Sequence, residues 1–216
     1  YDFESLYAMD LEFLNKQLNE LLEGKEVEVP RFDFKTGNRI FEGNKLRLED
    51  KDILIMEGIH ALNPEMTSAV DDSRIFRVYV SALTSLNIDE NNNMSTSDNR
   101  LLRRMVRDNR VRGITPEETI MRWNSVRRGE SKNIFPFQEN ADALFNSALI
   151  FELPMLKYYA EPLLRRIAPN SPAYTEAVRL LKFLDYIVEL QPSEIAAIPP
   201  TSIMREFIGG QTLTRD

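Results

Sequence analysis

The chain has 216 residues, 43% of them hydrophobic, enough for a sizeable buried core, yet no apolar run approaches the ~18 residues a membrane-spanning helix needs. Its formal net charge of −7 and sequence pI of about 5.0 argue against the broad positive field that non-specific nucleic-acid binding requires. It has no cysteine, which excludes disulfides and thiolate metal sites, and its single histidine, His60, excludes a histidine-rich one.

The sequence opens Tyr1-Asp2-Phe3-Glu4-Ser5, without methionine or a secretory leader pattern, and reads as a piece of a longer cytoplasmic polypeptide. The first predicted element is a helix from about Asp10 to Leu22, with Leu11, Leu14, Leu18, Leu21 and Leu22 along one stripe and Gly24 as its stop. Alternation over residues 26–30, turn chemistry at Thr36-Gly37-Asn38 and a returning strand over 39–48 predict a projecting β-hairpin, residues 26–48. The apolar run Asp52-Ile-Leu-Ile-Met-Glu-Gly58 reads as a buried strand with Glu57 at its carboxyl end, where open α/β sheets hold their ligands. Residues 74–80 read as a second core strand. A polar loop, residues 87–98, follows.

Residues 99–113 then gather Arg100, Arg103, Arg104, Arg107, Arg110 and Arg112 in one short segment. At helical spacing Arg100, Arg103, Arg104 and Arg107 share a face, while Leu101, Leu102, Met105 and Val106 supply an anchor to a core. Guanidinium forks match phosphate oxygens, and with Asp108 as the one nearby carboxylate the segment reads as built to hold phosphates. The competing reading is a solvated Arg-rich helix. Thr115-Pro-Glu-Glu118 is a capping box that starts a helix through Trp123 to about Arg128. A short strand within residues 142–151, a helix over 154–167, another from Ser171-Pro172 to about Leu190 and a final one ending at Gly209-Gly210 complete the pattern. Strands alternating with helices predict an α/β layer with a mostly parallel sheet.

Several segments, in order, resemble one family. They are Tyr1-Asp2 before a capped helix, Val29-Pro-Arg-Phe-Asp-Phe34 with its turn, Glu57-Gly-Ile59, Arg103-Arg-Met-Val-Arg-Asp108 with Arg112-Gly113, and Ala141-Asp142. Together they resemble the uridine kinase and phosphoribulokinase family of P-loop phosphotransferases, above all its bacterial branch with a threonyl-tRNA-synthetase-like N-terminal region. The resemblance covers residues 1–167 as a partial kinase domain and leaves 168–216 as a C-terminal helical extension. It implies a P-loop-kinase-like parallel sheet flanked by helices, and transfer of the ATP γ-phosphoryl group, with Mg2+, to a nucleoside 5′-hydroxyl. It also implies residue roles. Glu57 resembles the acid near magnesium. Arg104 and Arg107 resemble arginines reaching substrate and phosphates, and Arg107, Arg110 and Arg112 the lid over ATP. Asp2 resembles the acid holding the ribose hydroxyls, and Phe32 and Phe34 the nucleobase pocket.

Three departures qualify the resemblance. Gly37 stands where close uridine–cytidine kinases carry a base-reading histidine, and Arg122 where they carry a substrate-contacting glutamine, so the preferred nucleoside is left open. No Gly-x-x-x-x-Gly-Lys-Ser/Thr pattern occurs; Gly24-Lys25 is the only Gly-Lys pair. The expectation is therefore a nucleoside kinase whose P-loop and central strand lie outside this chain, leaving an incomplete sheet and a chain inactive alone. The alternative is a non-catalytic phosphate-binding or regulatory module. The expected partners are a nucleoside and ATP, with no membrane. RNA binding through the arginines is disfavoured by the acidic total charge, and a homo-oligomer is left open.

Overall fold

A computed structural model describes residues 5–33, 37–84, 90 and 94–212. It is an α/β protein with two compact units, one of residues 1–79 and 129–144, the other of 80–128 and 145–216.

In the first unit, α1 (Leu11–Leu22) starts at Asp10, whose carboxylate accepts from the Phe13 N–H at 3.0 Å. It stops at Gly24, whose φ of +74° a side chain would resist. The buried Asn15 ties the helix down with a fully used amide. Its Nδ2 donates to the carbonyls of Leu11 (2.8 Å) and Met66 (3.1 Å), and its Oδ1 accepts from the Ala69 N–H (2.9 Å). Gln17 donates to the Glu28 carbonyl at 2.6 Å and so holds β1 (Val27–Glu28) to the helix. Two antiparallel pairs follow. β2 (Arg31–Asp33) pairs with β3 (Asn38–Ile40), Phe32 opposite Arg39, and β1 pairs with β4 (Lys45–Leu46), Val27 opposite Leu46.

The run 52–58 forms no strand, which corrects the expectation of a buried one. Ile53 and Ile55 are 85% and 86% exposed. A strand buried on both faces is held by ladders along its edges, and among the described residues no strand pairs with this run. A local turn opens it instead, in which Asp52 donates to the Glu49 carbonyl and returns its carboxylate to the Glu49 N–H. The second expected core strand is also corrected: Arg74 closes a 3-10 turn, and only Val78–Ser81 (β5) is extended. β5 pairs in parallel with β6 (Ala143–Asn146), the Arg77 carbonyl accepting from Ala143 N–H and the Ser81 carbonyl from Ser147 N–H. Phe76, Val78 and Val80 are exposed rather than buried.

The second unit is helical. α2 (Thr96–Arg112) is capped by Ser95, whose hydroxyl accepts from the Asp98 N–H, and ends at Gly113 in the left-handed region, φ +64°. α3 (Pro116–Asn133), whose residues from Gly129 on belong to the first unit, starts with the capping box read from the sequence. Glu118 accepts from the Thr115 N–H at 2.9 Å, and the Glu118 N–H donates to the Thr115 hydroxyl at 3.2 Å. α4 (Glu152–Leu164), α5 (Tyr174–Leu184), α6 (Pro192–Ala196) and α7 (Met204–Ile208) complete it. The core is a single cluster in which Leu101, Leu102 and Met105 of α2 meet Met155, Leu156 and Ala160 of α4, Leu180 and Leu184 of α5, and Met204 of α7. Trp123 joins it and donates its indole N–H to the Ser97 hydroxyl. α5 ends at Leu184, six residues short of the predicted Leu190, and α6 was not foreseen.

Candidate functional site

The arginine segment is the helix its sequence predicts, but its guanidinium groups do not all face outward. Arg103 is buried, because the face carrying it also carries the apolar anchor. There it pairs with the buried Glu152 at the start of α4 and reaches the Ser147 carbonyl. A buried guanidinium needs such a partner, and its planar fork suits both carboxylate oxygens. Phe207 of α7 lies with its ring centroid 5.2 Å from the same guanidinium carbon.

Asp108 is the centre of the remaining cluster. It is only 1% exposed, and it receives Arg104 at 3.2 Å, Arg107 at 3.0 Å and Arg112 at 3.2 Å. Arg104 and Arg112 lie four residues either side of it, the helical spacing that puts them over one carboxylate. Three guanidinium groups around one carboxylate leave a local excess of positive charge. A guanidinium has five N–H donors, so contacts to Asp108 leave others for a further anion. Arg107 also meets Glu206 of α7 at 3.5 Å. Arg110 spends its Nε–H on the Phe207 carbonyl (2.9 Å) and an Nη–H on the Glu206 carbonyl (2.7 Å). The expectation of Asp108 as the one nearby carboxylate is therefore corrected: Glu152, Glu206 and the end of α7 also partner these arginines.

The other sequence candidates fall elsewhere. Arg122 is exposed on α3, where, after the two Thr115 hydrogen bonds, its charge also helps hold the Glu118 carboxyl below its ordinary range. Glu57 belongs to the first unit and stands exposed in an irregular segment, the Arg cluster to the second. Phe32 lies on β2 and is partly exposed. Asp2 and Phe34 lie outside the described residues. His60, three residues past Glu57, is 7% exposed, and neither ring nitrogen has a hydrogen-bond partner. Among the described residues no group of three or more His, Asp or Glu side chains could hold a metal ion, and no helix is long and apolar enough to cross a membrane. Sequence reasoning missed Glu152 and Glu206 as arginine partners. Both lie far from α2 in the sequence, and no local signal marks them, whereas Asp108, at i+4 from Arg104 and i−4 from Arg112, is marked by its helical spacing.

Comparison with known proteins bears on residues 1–150, which match the family model of the phosphoribulokinase / uridine kinase family. A uridine kinase of Staphylococcus epidermidis is 31% identical over 144 residues, covering 66% of this chain and 61% of that protein. One of Macrococcus caseolyticus is 32% identical over 144 residues, with the same shares. One of Halalkalibacterium halodurans is 32% identical over 127 residues, 59% of this chain and 52% of that protein. The chain thus matches less than two thirds of the length of each of these relatives. By the match over residues 1–150, the chain belongs to the phosphoribulokinase / uridine kinase family.

Proposed function

We propose that this chain is part of an ATP-dependent nucleoside kinase that phosphorylates the 5′-hydroxyl of a uridine- or cytidine-like nucleoside. Residues 1–167 are its contribution to the kinase domain and 168–216 a C-terminal extension. The observation that carries the reading is the convergence of Arg104, Arg107 and Arg112 on the buried Asp108, inside the stretch that matches the family. Phosphoryl transfer depends on positioning and charge neutralisation. A guanidinium cluster already gathered on one carboxylate supplies both.

In this reading Arg104 and Arg107 hold substrate and phosphate oxygens, while Arg107, Arg110 and Arg112 close over ATP. Phe32, with Phe34, lines the nucleobase pocket, Asp2 holds the ribose hydroxyls, and Arg122 contacts the substrate. Glu57 is the one metal ligand assigned. A single exposed carboxylate suits Mg2+, which takes one or two protein oxygens and completes its shell with waters and phosphates. What a bound Mg2+ supplies is neutralisation of phosphate charge. The sequence holds no Gly-x-x-x-x-Gly-Lys-Ser/Thr loop to cradle those phosphates, so the chain alone transfers none. That same absence favours the second reading, a phosphate-binding module without catalysis. The test is transfer from labelled ATP–Mg2+ to a panel of nucleosides, with this chain beside a longer one that carries a P-loop. Transfer by the longer chain only is expected. Silence from both overturns the kinase reading in favour of the second.

A further inference from the structure

α7 lies at residues 204–208, beyond the 1–150 that match the family, yet it occupies two of the arginines assigned above to ATP. The Arg110 guanidinium donates to the Phe207 and Glu206 carbonyls. These are at the carboxyl end of α7, where unpaired carbonyls carry partial negative charge and attract a cation. The Glu206 carboxylate shares Arg107 with Asp108. The chain leaves α7 through Gly209 at φ +91°, and a Cβ there would sit 3.2 Å from Arg110 Nη1. A side chain there would strain the backbone turn and press on the guanidinium, which would have to give by a few tenths of an ångström.

We propose that α7 is an autoinhibitory latch: its carboxyl end and Glu206 hold Arg110 and Arg107 in place of polyphosphate, and polyphosphate binding must displace them. The proposal rests on the assignment of these arginines to phosphate. Arg110 cannot aim the same two N–H groups at α7 carbonyls and at phosphate oxygens. Bonds from guanidinium to a charged phosphate are stronger than those to a neutral carbonyl, so polyphosphate can win the exchange. The latch lowers apparent affinity by the fraction of molecules in which it is closed.

Inorganic tripolyphosphate is the probe, titrated calorimetrically into this chain and into Glu206→Gln and Gly209→Ala, each first checked for native helicity. Both variants are expected to bind several-fold more tightly than the parent. The gain from Gly209→Ala, which leaves charge unchanged, should vanish in an Arg110→Ala background. Hydrogen exchange over residues 204–209 should quicken when tripolyphosphate is bound. Tightening by Glu206→Gln alone would reflect only the lost negative charge and would overturn the latch. Equal binding by the parent and both variants overturns the latch and leaves the phosphate assignment standing. No binding by any of them overturns both.

Discussion

Leu101, Leu102 and Met105 of the second unit are wholly buried, whereas Ile53, Ile55 and Phe76 of the first, as apolar by side chain, are exposed. The difference lies in how each element satisfies its backbone. A helix closes its own hydrogen bonds and needs only a facing surface for its stripe, which α4, α5 and α7 give α2. A strand must borrow its hydrogen bonds from neighbours, and the run 52–58 has none among the described residues. Apolar character alone therefore does not place a residue in a core. The supply of partners does.

The sharpest way to test this contrast is in the helical unit. Glu152→Ala would leave the Arg103 guanidinium buried without its carboxylate, a loss expected at about 3–5 kcal/mol, read as a lowered urea midpoint. A loss below about 1 kcal/mol would mean Arg103 escapes to water. Next is a matched pair across the two units. Leu156→Ala, in the core beside α2, should cost about 2–5 kcal/mol through transfer and cavity terms. Ile55→Ala should stay within about 0.5 kcal/mol; comparable losses for the two would break the comparison. Smaller is Asn15→Ala in the first unit, which frees the Met66 carbonyl and the Ala69 N–H, about 1–3 kcal/mol by the same denaturation measurement.

The smallest effect is a pH dependence. The Arg39 hydrogen bond, and then the Phe13 N–H, hold the Asp10 carboxyl below its ordinary range. A carboxyl lowered in the folded state contributes stability above its unfolded value of about 3.9 and loses it as pH falls through the lower folded value. Asp10→Asn should therefore destabilise slightly at neutral pH, and the difference from the parent should shrink on acidification below about pH 4. A difference that does not change with pH would assign the effect to helix capping alone.

The helices that carry local signals were legible: Asp10 and the Thr115–Glu118 box mark starts, and Gly24 and Gly209 mark ends, within a turn of the residues they govern. The start of α2 was not, since Ser95 and Thr96 lie inside the stretch read as a polar loop, and α6 was missed. The fate of 52–58 was not legible, because burial of a strand is decided by chains elsewhere in the sequence. The arginine cluster was half legible. The spacing of Arg104, Asp108 and Arg112 is written in one helix, but Glu152 stands 49 residues from Arg103, and nothing near Arg103 announces it. Arg110 was read as a phosphate ligand from its neighbours alone, with its α7 carbonyl partners 96 and 97 residues away.

That last separation has a consequence in time. Between the emergence of Arg110 and of the carbonyls that hold it, a ribosome adds about a hundred residues, roughly 5–20 s of synthesis at about 5–20 residues per second. Through that interval the arginine helix exists without its closing helix, and the contact that completes it is among the most non-local in the unit. Non-local contacts carry loop-closure entropy and slow folding. The nascent chain therefore presents its most cationic segment to its surroundings before the helix that holds Arg110 has been made.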